Sequence, residues 1–508
     1  MGGTMTWQGM QSQPQLSPSE LFPSICRMQD GTVLRVSPRM THHLQGDGEL
    51  YTLKGTDNGS GNITWGTSWQ KIYSRKGDQW DVRGGQPSLI PSGPYAGRVV
   101  IVMWEAEWLA SRLYIDYLSP WPAVRVASYT RILLSTDATC TAWTEHATLP
   151  PGAPSTAPEI NDCNEAPVVF LPNGDWMTCC YTRETHDYIG WYSASYFRST
   201  DDGATWTHEG FVGPRANPAQ PQDTTYLADE PQFLVLQNGE MLCMIRALEA
   251  GSPQQPYHHL YRCANPTARG AMNWVLEGRI PASVKAGSRA ALWQHSNGMV
   301  LHGFRVVVGS PTEYGTSAQG AWMTSNDNGH AWDTPRNLDS GAVTAGATGA
   351  IYSYGAWAEM ADGSMVHAYC EDRGPAGGYT KVARFTVVSD ATHRTLAPAT
   401  ETDVAQALTF DLRTSGLTLD PDAYWQQSGT ALTVHAAVGQ RREATGVVSS
   451  GTGGQCSFRG ADAGDFEVSL NGTDWAPTVI VPAGDTPVWL AVQVSATGTI
   501  SAEFGVPA

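Results

Sequence analysis

Acids, arginines and one tyrosine stand at matching distances from a series of glycine-containing turns along this chain. Glu230 lies eight residues before Asn238 of Asn238-Gly239, and Arg246 eight after it. Arg289 and Arg305 flank Asn297-Gly298 in the same way, and Tyr354 and Cys370, with Glu371 beside it, flank Asp362-Gly363. Glu165 and Tyr181, with Arg183 just beyond, flank Asn173-Gly174, while Phe22 and Arg39 flank Asp30-Gly31. Antiparallel pairing about such turns brings each pair level at the far end of its hairpin. A carboxylate, several guanidinium groups and a phenol gathered at one opening could move a proton, clamp an anion or supply a nucleophile. The plainer alternative for Glu230 and Arg246 is an ion pair that stitches the hairpin mouth.

Aromatic residues crowd the connections that run over the same end. The longest, Glu105 to Ser128, holds Trp108, Tyr114, Tyr117 and Trp121, and others contribute Tyr188, Trp191, Tyr257 and Tyr314. A flat ring suits the C–H face of a sugar, and neighbouring charged groups suit its hydroxyl edge. Any single ring could instead pack its loop against the body. As a set they read as a carbohydrate-binding surface.

Two interleaved repeats supply the elements that would position these groups. The first is an apolar run, a turn and a second apolar run, with turns at Asp30-Gly31, Ser92-Gly93, Asn173-Gly174, Asn238-Gly239, Asn297-Gly298 and Asp362-Gly363. Asn-Gly and Asp-Gly between alternating hydrophobics are strong hairpin signals. The second is Ser/Thr-x-Asp-x-Gly-x-x-Trp, cleanest from Ser199 through Asp201 and Gly203 to Trp206 and nearly intact from Ser325 to Trp332. Worn copies run from Thr56 to Trp65, Ser135 to Trp143 and Asn265 to Trp274. The Asp caps backbone N–H groups, the Gly takes positive φ and the Trp folds back over the hairpin. Such hairpin pairs bury their faces only by stacking around an axis, which predicts an all-β, six-bladed β-propeller.

With both repeats in place, residues 15–390 resemble the sialidase (Asp-box, BNR-repeat) propellers. The resemblance implies a Tyr nucleophile, a Glu that activates it, an Asp acid/base and three arginines that clamp the substrate carboxylate. On that likeness Tyr354 matches the nucleophile, Glu230 the activating Glu and Arg246 the second clamp arginine. The pattern also departs from the family. Glu20-Leu21-Phe22-Pro23 stands where the family has Phe-Arg-Ile-Pro, so Leu21 replaces the first clamp arginine. Arg279-Ile280-Pro281 has the right letters but follows an Asp-box position. Residues 306–335 hold no Arg or Lys where the third clamp is due, leaving Arg289 or Arg305 as substitutes. Asp47 is the nearest candidate for the acid. Arg39, Arg183, Arg289, Arg305, Trp108 and Trp191 complete the expected substrate-binding set.

The chain is 508 residues with a formal net charge of −17, which argues against nucleic acid and anionic membrane surfaces as partners. No apolar run approaches membrane-spanning length, and residues 1–19 lack the order of a signal peptide. The odd count of nine Cys, with no C-x-x-C pair, points to buried free thiols ahead of a disulfide, and away from a metal site. No cofactor is implied. Past residue 390 the blade repeat stops: 391–425 reads as a linker, and 426–508 as an immunoglobulin-like β-sandwich resembling modules of phage virion proteins. The first expectation is therefore a phage tail protein that recognises a host-surface glycan, alongside other virion tail proteins. The alternatives are a secreted or virion-borne exo-sialidase or related glycoside hydrolase, and a structural assembly propeller.

Overall fold

The computed structural model describes residues 3–11, 14–16, 22–42, 45–59, 61–75, 80–108, 125–150, 160–162, 166–183, 192–213, 226–249, 255–281, 285–307, 318–338, 351–372 and 378–389, with the C-terminal strands given below. Every regular element among them is a β-strand. The chain divides into two compact units, one spanning Thr4–Val388 and the other Ser389–Ala508 with Met1–Gly3.

The larger unit is a six-bladed propeller. After β1 (Gly3–Gln11), blade 1 comprises β2 (Ser24–Arg27), β3 (Thr32–His42), β4 (Gln45–Asp57) and an outer edge broken into β5 (Ile63–Trp65) and β6 (Gln70–Ser74). Blade 2 comprises β7 (Trp80–Leu89), β8 (Val99–Trp108), β9 (Arg125–Ser135) and β10 (Trp143–Thr148). Blade 3 has its inner edge in two pieces, β11 (Ile160–Asp162) and β12 (Val169–Phe170), followed by β13 (Trp176–Arg183), β14 (Tyr192–Ser199) and β15 (Thr207–Val212). Blade 4 comprises β16 (Tyr226–Val235), β17 (Met241–Glu249), β18 (Gln255–Cys263) and β19 (Val275–Arg279). Blade 5 comprises β20 (Lys285–Gln294), β21 (Val300–Val307), β22 (Ala318–Ser325) and β23 (Arg336–Asn337). Blade 6 comprises β24 (Ile351–Glu359), β25 (Met365–Asp372) and β26 (Gly378–Ser389), and its outermost strand is β1. The first strand of the chain thus closes the last blade. Nothing in the polar N-terminal sequence announces that.

Strand alternation builds the core as seams between blades. In β8, Val99, Ile101 and Met103 pack toward blade 1, while Val100 and Val102 pack toward blade 3. Each Asp-box Trp enters the seam with the preceding blade: Trp65 against blade 6, Trp143 against blade 1, Trp206 against blade 2, Trp274 against blade 3 and Trp332 against blade 4. The two clean boxes are superimposable in their bonding. Asp201 accepts from Thr205 N and Asp327 from Ala331 N, both at 2.8 Å, and the Trp indoles donate to Gly203 O and Gly329 O.

All six expected turn glycines have φ between 77° and 91°. In five turns the preceding Asn or Asp also accepts from the backbone N–H two residues on, as Asn238 does from Glu240 N at 3.1 Å. Blade 2 departs from the pattern. Its closing bonds join Ile90 to Arg98 and Gly97, so Gly97 fills the role expected of Gly93. Polar side chains then staple blades at this turn end. Lys54 reaches Thr139 O, His146 reaches Asp202 O, Arg198 reaches Pro266 O and Ala268 O, and Arg262 reaches Asn328 O. Each acceptor lies in the Asp-box loop of the next blade.

The described cysteines of the propeller, Cys26, Cys140, Cys179, Cys180, Cys243, Cys263 and Cys370, are buried free thiols, as expected. In the second unit, β27 (Thr409–Asp411), β28 (Ala423–Ser428), β29 (Ala431–Ala436), β30 (Arg441–Ser450), β31 (Gly454–Arg459), β32 (Phe466–Ser469), β33 (Thr478–Val481), β34 (Gly484–Gln493) and β35 (Thr499–Gly505) form two antiparallel sheets. Their orders are β27-β30-β34-β32 and β28-β29-β35-β31-β33. The expected linker, 391–425, contains β27 and the start of β28 and otherwise lies outside the described residues.

Candidate active site

The innermost strands of blades 2, 4, 5 and 6 share one irregularity, at the level where the sequence places its acids, arginines and tyrosine. The register slips between Gly84 and Gln86 in β7, Asp229 and Gln232 in β16, Gly287 and Ala291 in β20, and Ser353 and Gly355 in β24. Each bulge contains a residue with left-handed backbone: Gly85 (φ 97°, with Gly84 beside it at 80°), Glu230 (45°), Ser288 (59°) and Tyr354 (39°). Phe22, just before β2, joins them at 54°. For a non-glycine residue this costs about 1–3 kcal/mol, and bulges of this kind re-aim side chains beside functional sites.

The re-aimed side chains meet. Tyr354 Oη donates a hydrogen bond to Glu230 Oε1, and both residues are buried. Arg246 Nε lies 3.2 Å from Glu230 Oε2, and its terminal nitrogen pairs with Asp229 Oδ2. Arg289, 1% exposed, has its guanidinium carbon 5.8 Å from the Tyr354 ring centroid and donates to Gly355 O at 2.8 Å. On another side the Phe22 ring meets Tyr354 edge-on at 4.4 Å, and Cys370 completes that apolar contact. Arg83 in turn lies over Phe22 and Trp104 at 5.5 and 5.1 Å. The carboxylate at the phenol oxygen can accept its proton, and the guanidinium near the ring favours the phenolate.

Buried histidines lie directly beneath. His258, the cross-strand partner of Arg246, places Nε2 2.7 Å from Ser288 O and Nδ1 3.1 Å from His302 Nε2. Donation to the Ser288 carbonyl fixes the tautomer, so His258 Nδ1 accepts from His302. Burial pushes the His258 imidazole down to about 3, reinforced by the Arg246 charge. His367 is likewise pushed down to about 3 by burial and by Arg289. A Cβ on Gly355 would lie 2.5 Å from His367 Nε2, so this glycine stays bare to admit the imidazole.

Of the residues expected from sequence, Tyr354, Glu230, Arg246 and Arg289 come together. Arg305 lies opposite Gly287 on β21 and is 8% exposed, one strand out from Arg289. Arg39 pairs with Glu49 of its own blade at 3.1 Å, with Lys71 on the same carboxylate. Tyr257 lies beneath the Arg279 guanidinium at 4.4 Å. The side chains of Arg183, Trp108, Asp47 and Glu371 lie outside the described residues, as do Trp191, Leu21 and Glu165. Asp229, Phe22 as a partner of Tyr354, Gln86 and His258 are the contributors that the sequence reading passed over. The Gly84-Gly85 doublet inside a strand pattern was the available sign of a bulge.

No model of a known protein family matches the chain, and no curated protein matches it in sequence. Solved structures do. A protein of unknown function from Dyadobacter fermentans is 15% identical over 76% of this chain and 99% of its own, with a TM-score of 0.54. The Hadza microbial sialidase Hz136 is 13% identical over 74% of this chain and 66% of its own, with a TM-score of 0.49. An α-L-arabinanase from Penicillium chrysogenum, complexed with arabinobiose, is 14% identical over 75% and 98%, with a TM-score of 0.44. The likeness at these identities is one of fold.

Proposed function

We propose that the propeller binds a glycan at the Tyr354 mouth and cleaves a glycosidic bond there. The observation that carries this reading is the hydrogen bond from Tyr354 to Glu230, between buried side chains that bulges in two different blades turn toward each other. A phenol is a weak nucleophile until a base takes its proton, and a carboxylate in direct contact can take it. In this reading Tyr354 Oη attacks the anomeric carbon as its proton passes to Glu230. The glycosidic C–O bond breaks and the leaving oxygen takes a proton from an acid. Water then attacks the anomeric carbon, giving its proton to the deprotonated acid, while the tyrosyl C–O bond breaks and Glu230 returns its proton to Tyr354. Arg246 holds Glu230 and Asp229 in place, and Arg305 and Arg39 are the candidates for a carboxylate on the sugar. Asp47 remains the candidate acid.

A second reading, favoured by Phe22, is glycan recognition without turnover. Among the described residues, the first blade brings the apolar Phe22 ring against Tyr354. In that reading the protein is a receptor-binding component of a phage tail, with other tail proteins as partners and an immunoglobulin-like sandwich at residues 426–508. Assaying aryl glycosides, sialosides included, with the wild type and Tyr354→Phe separates the two. Release by the wild type and none by the variant supports hydrolysis. Binding on a glycan array with no release from any substrate supports the receptor reading, and neither binding nor release overturns both.

A further inference from the structure

Arg289 does more than border the tyrosine. Its terminal nitrogen donates to Gly355 O, the carbonyl immediately after the bulged Tyr354. On its other side stands Gln86, whose amide, turned oxygen-first, accepts from both terminal nitrogens of Arg289 at 2.9 and 3.1 Å. Gln86 closes the bulge of β7 in blade 2, whereas Arg289 lies in the bulge of β20 in blade 5. Consecutive blades touch around the ring, so blades 2 and 5 face each other across the axis. The Arg289–Gln86 pair therefore spans the axial channel. Gln86 is 8% exposed and Arg289 1%, so the bridge is closed off from solvent.

We infer that Arg289 is the positioning residue of Tyr354: it fixes the bulge that aims the phenol at Glu230, holds a cation beside the ring that stabilises the phenolate, and is itself held by Gln86. The inference rests on the reading of Tyr354 as nucleophile. Three features support it. The 39° φ of Tyr354 is costly and needs surroundings that hold it, and the bond to Gly355 O is one such hold. A guanidinium 5.8 Å from the ring centroid is within the range of a cation–π contact and strengthens as charge develops on the ring. The bidentate fork to Gln86 fixes the guanidinium plane, which a lysine could not reproduce. Among the described residues, the groups that face Tyr354 include Glu230 from β16, Arg289 from β20, Cys370 from β25 and Phe22 from blade 1, with Arg246 and Asp229 behind Glu230 and Arg83 behind Phe22.

The test is a titration of Tyr354 in the full chain labelled with ring-¹³C tyrosine, its resonance assigned by its loss in Tyr354→Phe. In Arg289→Met the Tyr354 titration should move upward by about one pH unit or more, the size expected for losing a close cation. Gln86→Leu leaves the arginine and removes its anchor, and should move the titration in the same direction by less. That second variant decides the matter if Arg289→Met does not fold. An unchanged Tyr354 titration in a folded variant overturns the inference. The measurement uses no substrate. A wild type that hydrolyses no glycoside would count against the proposed reaction while leaving this result to stand or fall by itself.

Discussion

Tyr354 and Glu230 share a hydrogen bond although 124 residues separate them and their strands belong to blades 6 and 4, which are not neighbours. Blade 5 stands between. Side chains from alternate blades can touch only where all blades converge, so the pair sits at the axis, and both residues reach it through left-handed backbone. The strain is met by the surrounding contacts: Arg246 on the carboxylate, Phe22 on the ring and Arg289 on the next peptide.

Glu230→Gln should reduce any glycoside turnover by about 10²–10⁴-fold, the usual worth of a positioned acid or base. The amide keeps the shape and a partner for Tyr354, so glycan affinity should change little. Steady-state kinetics beside a binding titration reads both. Equal loss in kcat and in affinity would mean that the carboxylate binds and does not catalyse.

Arg246→Met should destabilise the fold by about 3–5 kcal/mol, because Asp229 and Glu230 would keep buried charge without their guanidinium. Urea denaturation measures it. A loss below about 1 kcal/mol would show the pair to be screened by solvent, as exposed ion pairs are.

The fold was legible because each blade states its turns in residues that only turns require. Asn238-Gly239 and Ser199 to Trp206 say where hairpins reverse, and the alternation of Val99 to Met103 says which seam each side chain fills. The site was legible only to within one or two residues. Counting back from Asp362 puts Tyr354 opposite Cys370, but the pairing residue is Ser353, since a bulge inserts Tyr354 between paired neighbours. The left-handed residues Glu230, Ser288 and Tyr354 are not glycines, so only Pro231 inside the first bulge and Gly287 and Gly355 at the edges of the other two hint at them, and contacts such as Arg289 to Gln86 cross blades far apart in sequence. The closing strand β1 is polar along much of its length and is held by pairing with β26, which periodicity cannot see.

Two turn glycines should differ in what alanine costs them. At Gly174 a Cβ meets nothing within 4 Å, so Gly174→Ala carries only the left-handed penalty, about 1–2 kcal/mol. At Gly203 the Cβ would lie 2.6 Å from the Trp176 ring, adding about 1–3 kcal/mol of overpacking. Paired urea curves should place Gly203→Ala clearly below Gly174→Ala. Equal midpoints would mean that Trp176 gives way freely.

Removing residues 1–11 should open the ring. Blade 6 would lose its outermost strand, and Met5 would leave the seam where it packs with Trp322, Trp357 and Phe385. Exposing the edge of β26 also invites association through strand pairing. Thermal unfolding followed by tryptophan fluorescence should lose its single sharp transition, and light scattering should rise. A truncated chain that melts as sharply as the full one would assign ring closure to the seams alone.

Acid should loosen the fold through the histidines beneath the site. His258 and His367 are buried and neutral, pushed from 6.5 down to about 3, so the unfolded chain binds protons that the folded one refuses. Their contribution is complete above 6.5 and is lost as the pH falls toward 3, and stability therefore rises with pH across that window. Each such histidine contributes up to about 1.4 kcal/mol per pH unit there. His367 suits the test, since its depression comes from burial and from Arg289. Unfolding free energies between pH 4.5 and 6.5 should show a shallower slope in His367→Gln than in the wild type. The same slope in both proteins would mean that His367 takes up its proton in the folded state, with Gly303 and Gly355 moving apart to let water reach it.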